Sequence, residues 1–139
     1  MEKDEKYPIY TVEQSGLIVL YTIMLIDGDF DEREFYIIME FLKSDNIKKS
    51  SLTNKDKPHF KEANLITELG YLKNLLYPEL INRFREAVRF LKEETEKTGD
   101  RNTIISIYEF ARKLILADNI ITPGEKSLFN SLKKEWNLK

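Results

Sequence analysis

Hydrophobic residues recur at three- and four-residue steps along almost the whole chain, the period of one face of an α-helix. From Thr11 to Ile26 the apolar positions Val12, Leu17, Leu20, Ile23, Met24 and Ile26 predict a helix buried on more than one side. Thr11-Val-Glu-Gln14 at its start has capping-box spacing, in which a hydroxyl and a carboxamide satisfy backbone amides reciprocally. A short loop, Asp27 to Asp31, then leads to a second helix near Glu32–Lys43, with Phe35, Ile38, Phe41 and Leu42 on one face.

Residues 44–57 interrupt this pattern. The segment is rich in Ser, Asn and Lys and offers too little apolar area to offset the entropy of ordering it, which predicts a mobile loop. Pro58 and Pro78 suit helix starts, because the first turn does not use the amide hydrogen that proline lacks. Between them Phe60, Leu65, Ile66, Leu69, Leu72 and Leu76 keep helical spacing, with Gly70 as a weak point or bend. Leu80, Ile81, Phe84, Ala87, Val88 and Leu91 form the cleanest amphipathic stripe, on a helix expected to end near Gly99. Two further helices are predicted, Thr103 to Ala117 and Pro123 to Trp136, and no stretch shows the period-two alternation of a strand. The expectation is an all-α, single-domain helical bundle of about six helices, spanning residues 1–139.

Composition narrows the chemistry. With 42% apolar and 33% charged residues and only 5 Gly and 4 Pro, collagen-like, low-complexity and fully disordered classes are excluded. The absence of cysteine removes disulfides, thiolate metal sites and cysteine nucleophiles, and a single histidine, His59, removes any His–His ligand set. His59 follows Pro58 and reads as a helix-start or solvated residue. Acids (24) and bases (22) nearly cancel, so neither nucleic acid nor anionic membrane is an expected partner. The longest apolar-rich run, Leu17 to Ile26, is about half the ~20 residues a spanning helix needs. Met1 to Lys6 carries charges of both signs without an adjoining apolar run, so a cytoplasmic location is expected. The glycines are scattered, so no phosphate-cradling loop is formed, and no catalytic residues are expected.

The sequence also carries a weak duplication. A shift of 91 residues, placing Asp27 on Asp118, aligns two helix–loop–helix units: Leu20–Asp27 falls on Ala111–Asp118, and Glu34 falls on Glu125. Asp31-x-x-Glu34 and Thr122-Pro-Gly-Glu125 both have capping-box spacing, and Gly28 or Asn119 suits the left-handed residue that ends a helix. Asp27 and Asp118 are less easily explained, since a carboxylate at a helix C-terminus faces the negative end of the dipole. Either Asx-type bonds to loop amides compensate, or a cation or basic partner does. Asp27, Asp29 and Asp31 match positions 1, 3 and 5 of an EF-hand, but position 6 is Glu32 rather than Gly and position 12 is Ile38 rather than Glu. What remains is a looser hard-cation set of Asp27, Asp29, Asp31 and Glu34, with Asp118 and Glu125 as second-loop counterparts.

Leu25-Ile-Asp-Gly-Asp-Phe-Asp-Glu-Arg-Glu34, echoed by Leu116-Ala-Asp-Asn-Ile-Ile-Thr-Pro-Gly-Glu125, resembles the TerB-like (tellurite-resistance-associated) helical domain. The resemblance covers residues 17–44 and 108–138 and implies a small α-helical bundle with paired acidic loops, found in bacterial stress and defence settings. It implies an interaction or metal-sensing module rather than an enzyme. The expected function is therefore binding of a protein partner through the acidic loops, and the alternative is a divalent-cation sensor taking Ca²⁺ or Mg²⁺ on the same carboxylates. One further feature stands apart from the loops. Arg85, Arg89 and Lys92 form a basic stripe, interleaved with Glu86, Glu93, Glu94 and Glu96, that is either a solvated face or a contact for phosphate or an acidic partner. The aromatic residues are expected mostly in the core, with Tyr71 and Tyr77 as candidates for an interface.

Overall fold

The computed structural model describes residues 12–26, 32–43, 62–116 and 122–138. They form α1 (Val12–Leu25), α2 (Glu32–Lys43), α3 (Glu62–Lys73), α4 (Tyr77–Thr98), α5 (Asn102–Leu116) and α6 (Pro123–Glu135), with no strand among the described residues. The chain is an all-α helical bundle, as its periodicity predicts. The expected loop at 44–57, Pro58, His59 and Thr11 lie outside the described residues.

Helix ends follow local chemistry. Pro78 occupies the first turn of α4, and Glu79 Oε1 accepts from the Leu76 amide at 3.0 Å. At its far end Gly99 adopts φ 75°, a left-handed conformation open to glycine at no steric cost, and its amide donates to Thr95 O at 2.7 Å. The capping box of α6 is formed in both directions: the Glu125 amide donates to Thr122 Oγ1 and the Thr122 amide to Glu125 Oε1, each at 3.1 Å. Two local expectations need correction. Gly70 does not break its helix, because α3 runs through it to Lys73 and Asn74 Nδ2 donates to its carbonyl at 3.0 Å. Leu76 does not join the core: it is the residue preceding α4 and is 71% exposed, the turn between α3 and α4 having carried it off the helical face.

One helix organises the packing. Helix α1 packs against each of the other five, and Leu17, Ile18, Val19, Leu20, Ile23 and Met24 are fully buried. Each such side chain contributes roughly 1.5–3 kcal/mol on leaving water. The duplication is visible in the helix bounds, since α1 and α2 shifted by 91 residues fall on 103–116 and 123–134, within a residue of α5 and α6. It is visible in the packing too: α1 and α5 pack on each other, and both α2 and α6 pack on both of them. Equivalent positions share burial, as in Ser15 and Ser106, Ile23 and Leu114, Met24 and Ile115, Phe41 and Leu132.

The halves differ where α3 and α4 lie. Gln14, Ile18 and Tyr21 on α1 are buried, whereas their counterparts on α5, Ile105, Glu109 and Arg112, face solvent. Helix α1 approaches α2 closely at Gly16. A Cβ there would enter the Phe41 ring, lying 2.9 Å from both Cε atoms, and Phe41 is itself held edge-on to Phe110 at 5.6 Å. At the other end of the chain Trp136 is buried and its Nε1 donates to Val88 O at 3.1 Å, while Arg101 Nη2 donates to Trp136 O at 2.8 Å.

Three outcomes follow from this packing. Gly16→Ala should destabilise by about 1–3 kcal/mol in urea unfolding, because overpacking against Phe41 exceeds the ~0.5–1 kcal/mol that alanine gains over glycine inside a helix. A fragment of residues 1–57 should be unfolded or oligomeric by circular dichroism and sedimentation, since it exposes the α1 face that the later helices cover; a sharp monomeric melt would contradict the shared core. Burial raises the Tyr21 phenol above its ordinary value near 10. The folded chain therefore keeps a proton that the unfolded chain releases, so stability falls as pH rises through 10, and Tyr21→Phe should remove that part of the loss in melts between pH 9 and 11.

Candidate functional site

The carboxylates singled out by sequence divide between what is described and what is not. Asp27, Asp29, Asp31 and Asp118 lie outside the described residues, as does the side chain of Glu34. Glu125 is 1% exposed and spends one carboxylate oxygen on the Thr122 amide, so its first role is to start α6. The described flanks of the two acidic loops nevertheless meet. Ile26, at the end of α1, stands against Gly124, in the first turn of α6, where a Cβ would come within 3.1 Å of Ile26 Cγ1. The exit of α1 into the first loop and the entry from the second loop into α6 thus share one corner of the bundle. Among the described residues no group of three His, Asp or Glu side chains converges.

A second feature was not anticipated. Glu68 of α3 and Arg83 of α4 are only 2% and 3% exposed and form an ion pair in which one nitrogen, Arg83 Nη2, donates to both carboxylate oxygens at 3.0 and 3.2 Å. Gln14 of α1 donates from Nε2 to the same Glu68 Oε1 at 3.0 Å, and the guanidinium lies over the Tyr71 ring, 5.1 Å from its centre. Gln14, expected as half of a capping box, thus reaches across the bundle. The arrangement ties three helices together through directional bonds. A signal for it existed: Arg83 falls among Leu80, Phe84, Ala87 and Val88 on the apolar stripe of α4, one register position where a charge requires a buried partner. Tyr71, an interface candidate, is instead half-buried under this arginine.

Two residues of the basic stripe, Arg85 and Arg89, open onto a groove. Between α4 and α6 runs a cavity of about 520 Å³, lined by Tyr77, Ile81, Arg85, Val88 and Arg89 from α4 and by Ser127, Leu128, Ser131 and Glu135 from α6. Arg85 and Arg89 are exposed, and Lys92 stands 3.9 Å from Glu135. Tyr77 is 63% exposed at one end, and Tyr36 is 64% exposed elsewhere, so these two aromatics are not core. A smaller apolar cleft between α5 and α6, about 430 Å³, is lined by Ile115, Leu116 and Phe129 with Arg112 and Lys126 beside them.

No family model matches this chain, and no curated protein or solved structure matches it either. The fold defines its class, an α-helical bundle built on a duplicated helix–loop–helix unit.

The buried pair yields a double test. Arg83→Met should cost about 3–5 kcal/mol in urea unfolding, because it strands a carboxylate among apolar groups. Combining it with Glu68→Leu should recover most of that loss, since two apolar side chains of similar volume need no partner.

Proposed function

We propose that the chain is a TerB-like, non-enzymatic module of bacterial stress or defence, working in the cytoplasm by binding a protein partner through its two acidic interhelical loops. The observation that carries this reading is the corner where Ile26 meets Gly124. The two units pack reciprocally about α1 and α5, so the flanks of both loops belong to one end of the molecule and can present their acids to one partner. The first loop supplies Asp27, Asp29, Asp31 and Glu34, and the second supplies Asp118, its other acid Glu125 being buried in the capping box of α6. Such a surface suits a basic patch, where each carboxylate gains a charge-assisted bond to Arg or Lys. Among the described residues no helix is long and apolar enough to cross a membrane.

The cation-sensor alternative draws on the same residues, since clustered carboxylates with completing waters are the ligands of Ca²⁺ and Mg²⁺. The second loop is the poorer donor, with Asn119 and Ile120 where the first has Gly28 and Asp29.

Asp27→Asn separates the readings. The amide keeps an oxygen for an Asx-type bond and removes a charge opposed by the helix dipole, so stability should be unchanged or rise by a few tenths of a kcal/mol, roughly. Proteins co-purifying with the wild-type chain should be lost from the Asp27→Asn/Asp118→Asn variant; the same set captured by both would refute binding through the loops. Calorimetry with millimolar calcium decides the alternative, because heat in the wild type that vanishes in Asp27→Asn assigns the loops to a cation.

A further inference from the structure

The α4–α6 groove carries chemistry that neither the bundle's core nor the acidic loops use. Arg85 and Arg89 are one helical turn apart on α4, about 6 Å along the axis, and both line the groove. Neither makes a hydrogen bond or ion pair with any other described residue. Ser127 and Ser131, again one turn apart, line it from α6, and their side chains likewise have no bonded partner among the described residues. Two guanidinium groups and two hydroxyls thus face one cleft with their bonding capacity unspent. Arg83, Lys92 and Lys97 on the same helix each stand within 4 Å of a carboxylate, so this is the place on α4 where positive charge is not paired. The one carboxylate in the lining, Glu135, lies at the end of α6 beside Lys92, 3.9 Å away.

The shape selects among anionic ligands. From Tyr77 to Arg89 the lining spans twelve residues of helix, about 18 Å. Apolar side chains, Ile81, Val88 and Leu128, lie between the polar groups rather than at a separate end. A compact anion would satisfy the arginines and leave Tyr77, 63% exposed, and the half-buried Ile81 uncovered. An elongated ligand with carboxylates about 6 Å apart and apolar groups between them would satisfy both. That spacing is met by acids four residues apart on a helix or two apart on an extended chain.

We propose that the groove between α4 and α6 is a docking site for an acidic, amphipathic peptide segment of a protein partner, with Arg85 and Arg89 pairing its carboxylates and Tyr77, Ile81 and Leu128 covering its apolar side. The site is separate from the acidic loops and does not depend on their function. Its acid-binding polarity is opposite to theirs, so the two surfaces would take different segments.

The test is a selection from a random displayed library of twelve-residue peptides against the full chain, followed by affinity measurement of the recovered peptides. The expected peptides carry Asp or Glu pairs at i, i+4 or i, i+2 with apolar residues between. Their affinity should fall at least tenfold for Arg85→Glu/Arg89→Glu and by less for Arg85→Gln/Arg89→Gln. It should also weaken between 50 and 300 mM salt, as the screening length falls from roughly 14 Å to roughly 6 Å. Both arginines are exposed and unbonded, so melting curves of the variants should match the wild type and show that the fold is kept. An empty selection, peptides without acid enrichment, or peptides that bind the Arg85→Glu/Arg89→Glu variant equally would each overturn the proposal. A titration with pyrophosphate supplies the remaining arm: saturable binding that needs both arginines, with no binding by acidic peptides, would replace the peptide by a compact anion.

Discussion

The structure depends on covering α1. A 14-residue helix in which every position from 17 to 24 is buried has no stable surface to show to water, so every other element is recruited to it. Helix α5 supplies one side as its counterpart in the duplication, with α2 and α6 closing the seams between them. That symmetric half-solution leaves the face of Gln14, Ile18 and Tyr21 open, and the α3–α4 hairpin fills it. The difference between the two units follows directly. Helix α5 has no such hairpin over its equivalent face and carries Glu109 and Arg112 there, where α1 carries Ile18 and Tyr21.

Hydrophobic burial alone would hold α3 and α4 against α1 without fixing their register. The Gln14–Glu68–Arg83 network adds that specificity, because a buried charge pair whose carboxylate also accepts from Gln14 tolerates little sliding of one helix past another. Its net contribution to stability is small once desolvation is counted, but an alternative packing that separates the charges inside the core is costly. Gly16 works in the same direction by steric means, admitting the Phe41 ring where any side chain would keep α2 away. Together these set the relative positions of α1, α2, α3 and α4.

Those positions create the two surfaces with chemistry to offer. Reciprocal packing of the units brings Ile26 to Gly124 and so joins the flanks of the acidic loops at one corner. Docking of α4 beside α6 aligns Arg85 and Arg89 with Ser127 and Ser131 across a groove. The corner belongs to the duplication, and the groove with its two arginines belongs to the hairpin added to it. The near-zero net charge of the chain hides this separation.

What the sequence determined by itself was local. The 3.6-residue period located the helices, prolines and glycines marked ends such as Pro78 and Gly99, and Thr122-x-x-Glu125 formed the capping box its spacing implies. The duplication was legible because equivalent buried positions demand similar side chains. Only the tertiary structure decided which charges are buried and which converge. Arg83 and Arg85 sit two residues apart on one helix, yet one is sealed against Glu68 and the other is open in a groove. The partner that seals Arg83 lies 15 residues away at Glu68, whereas Arg85 shares with Ser127 and Ser131 of α6 only the lining of a groove. The environment of a charge is set by which helix packs beside it, and periodicity along one strand of sequence carries no information about that neighbour until the packing of α1 has chosen it.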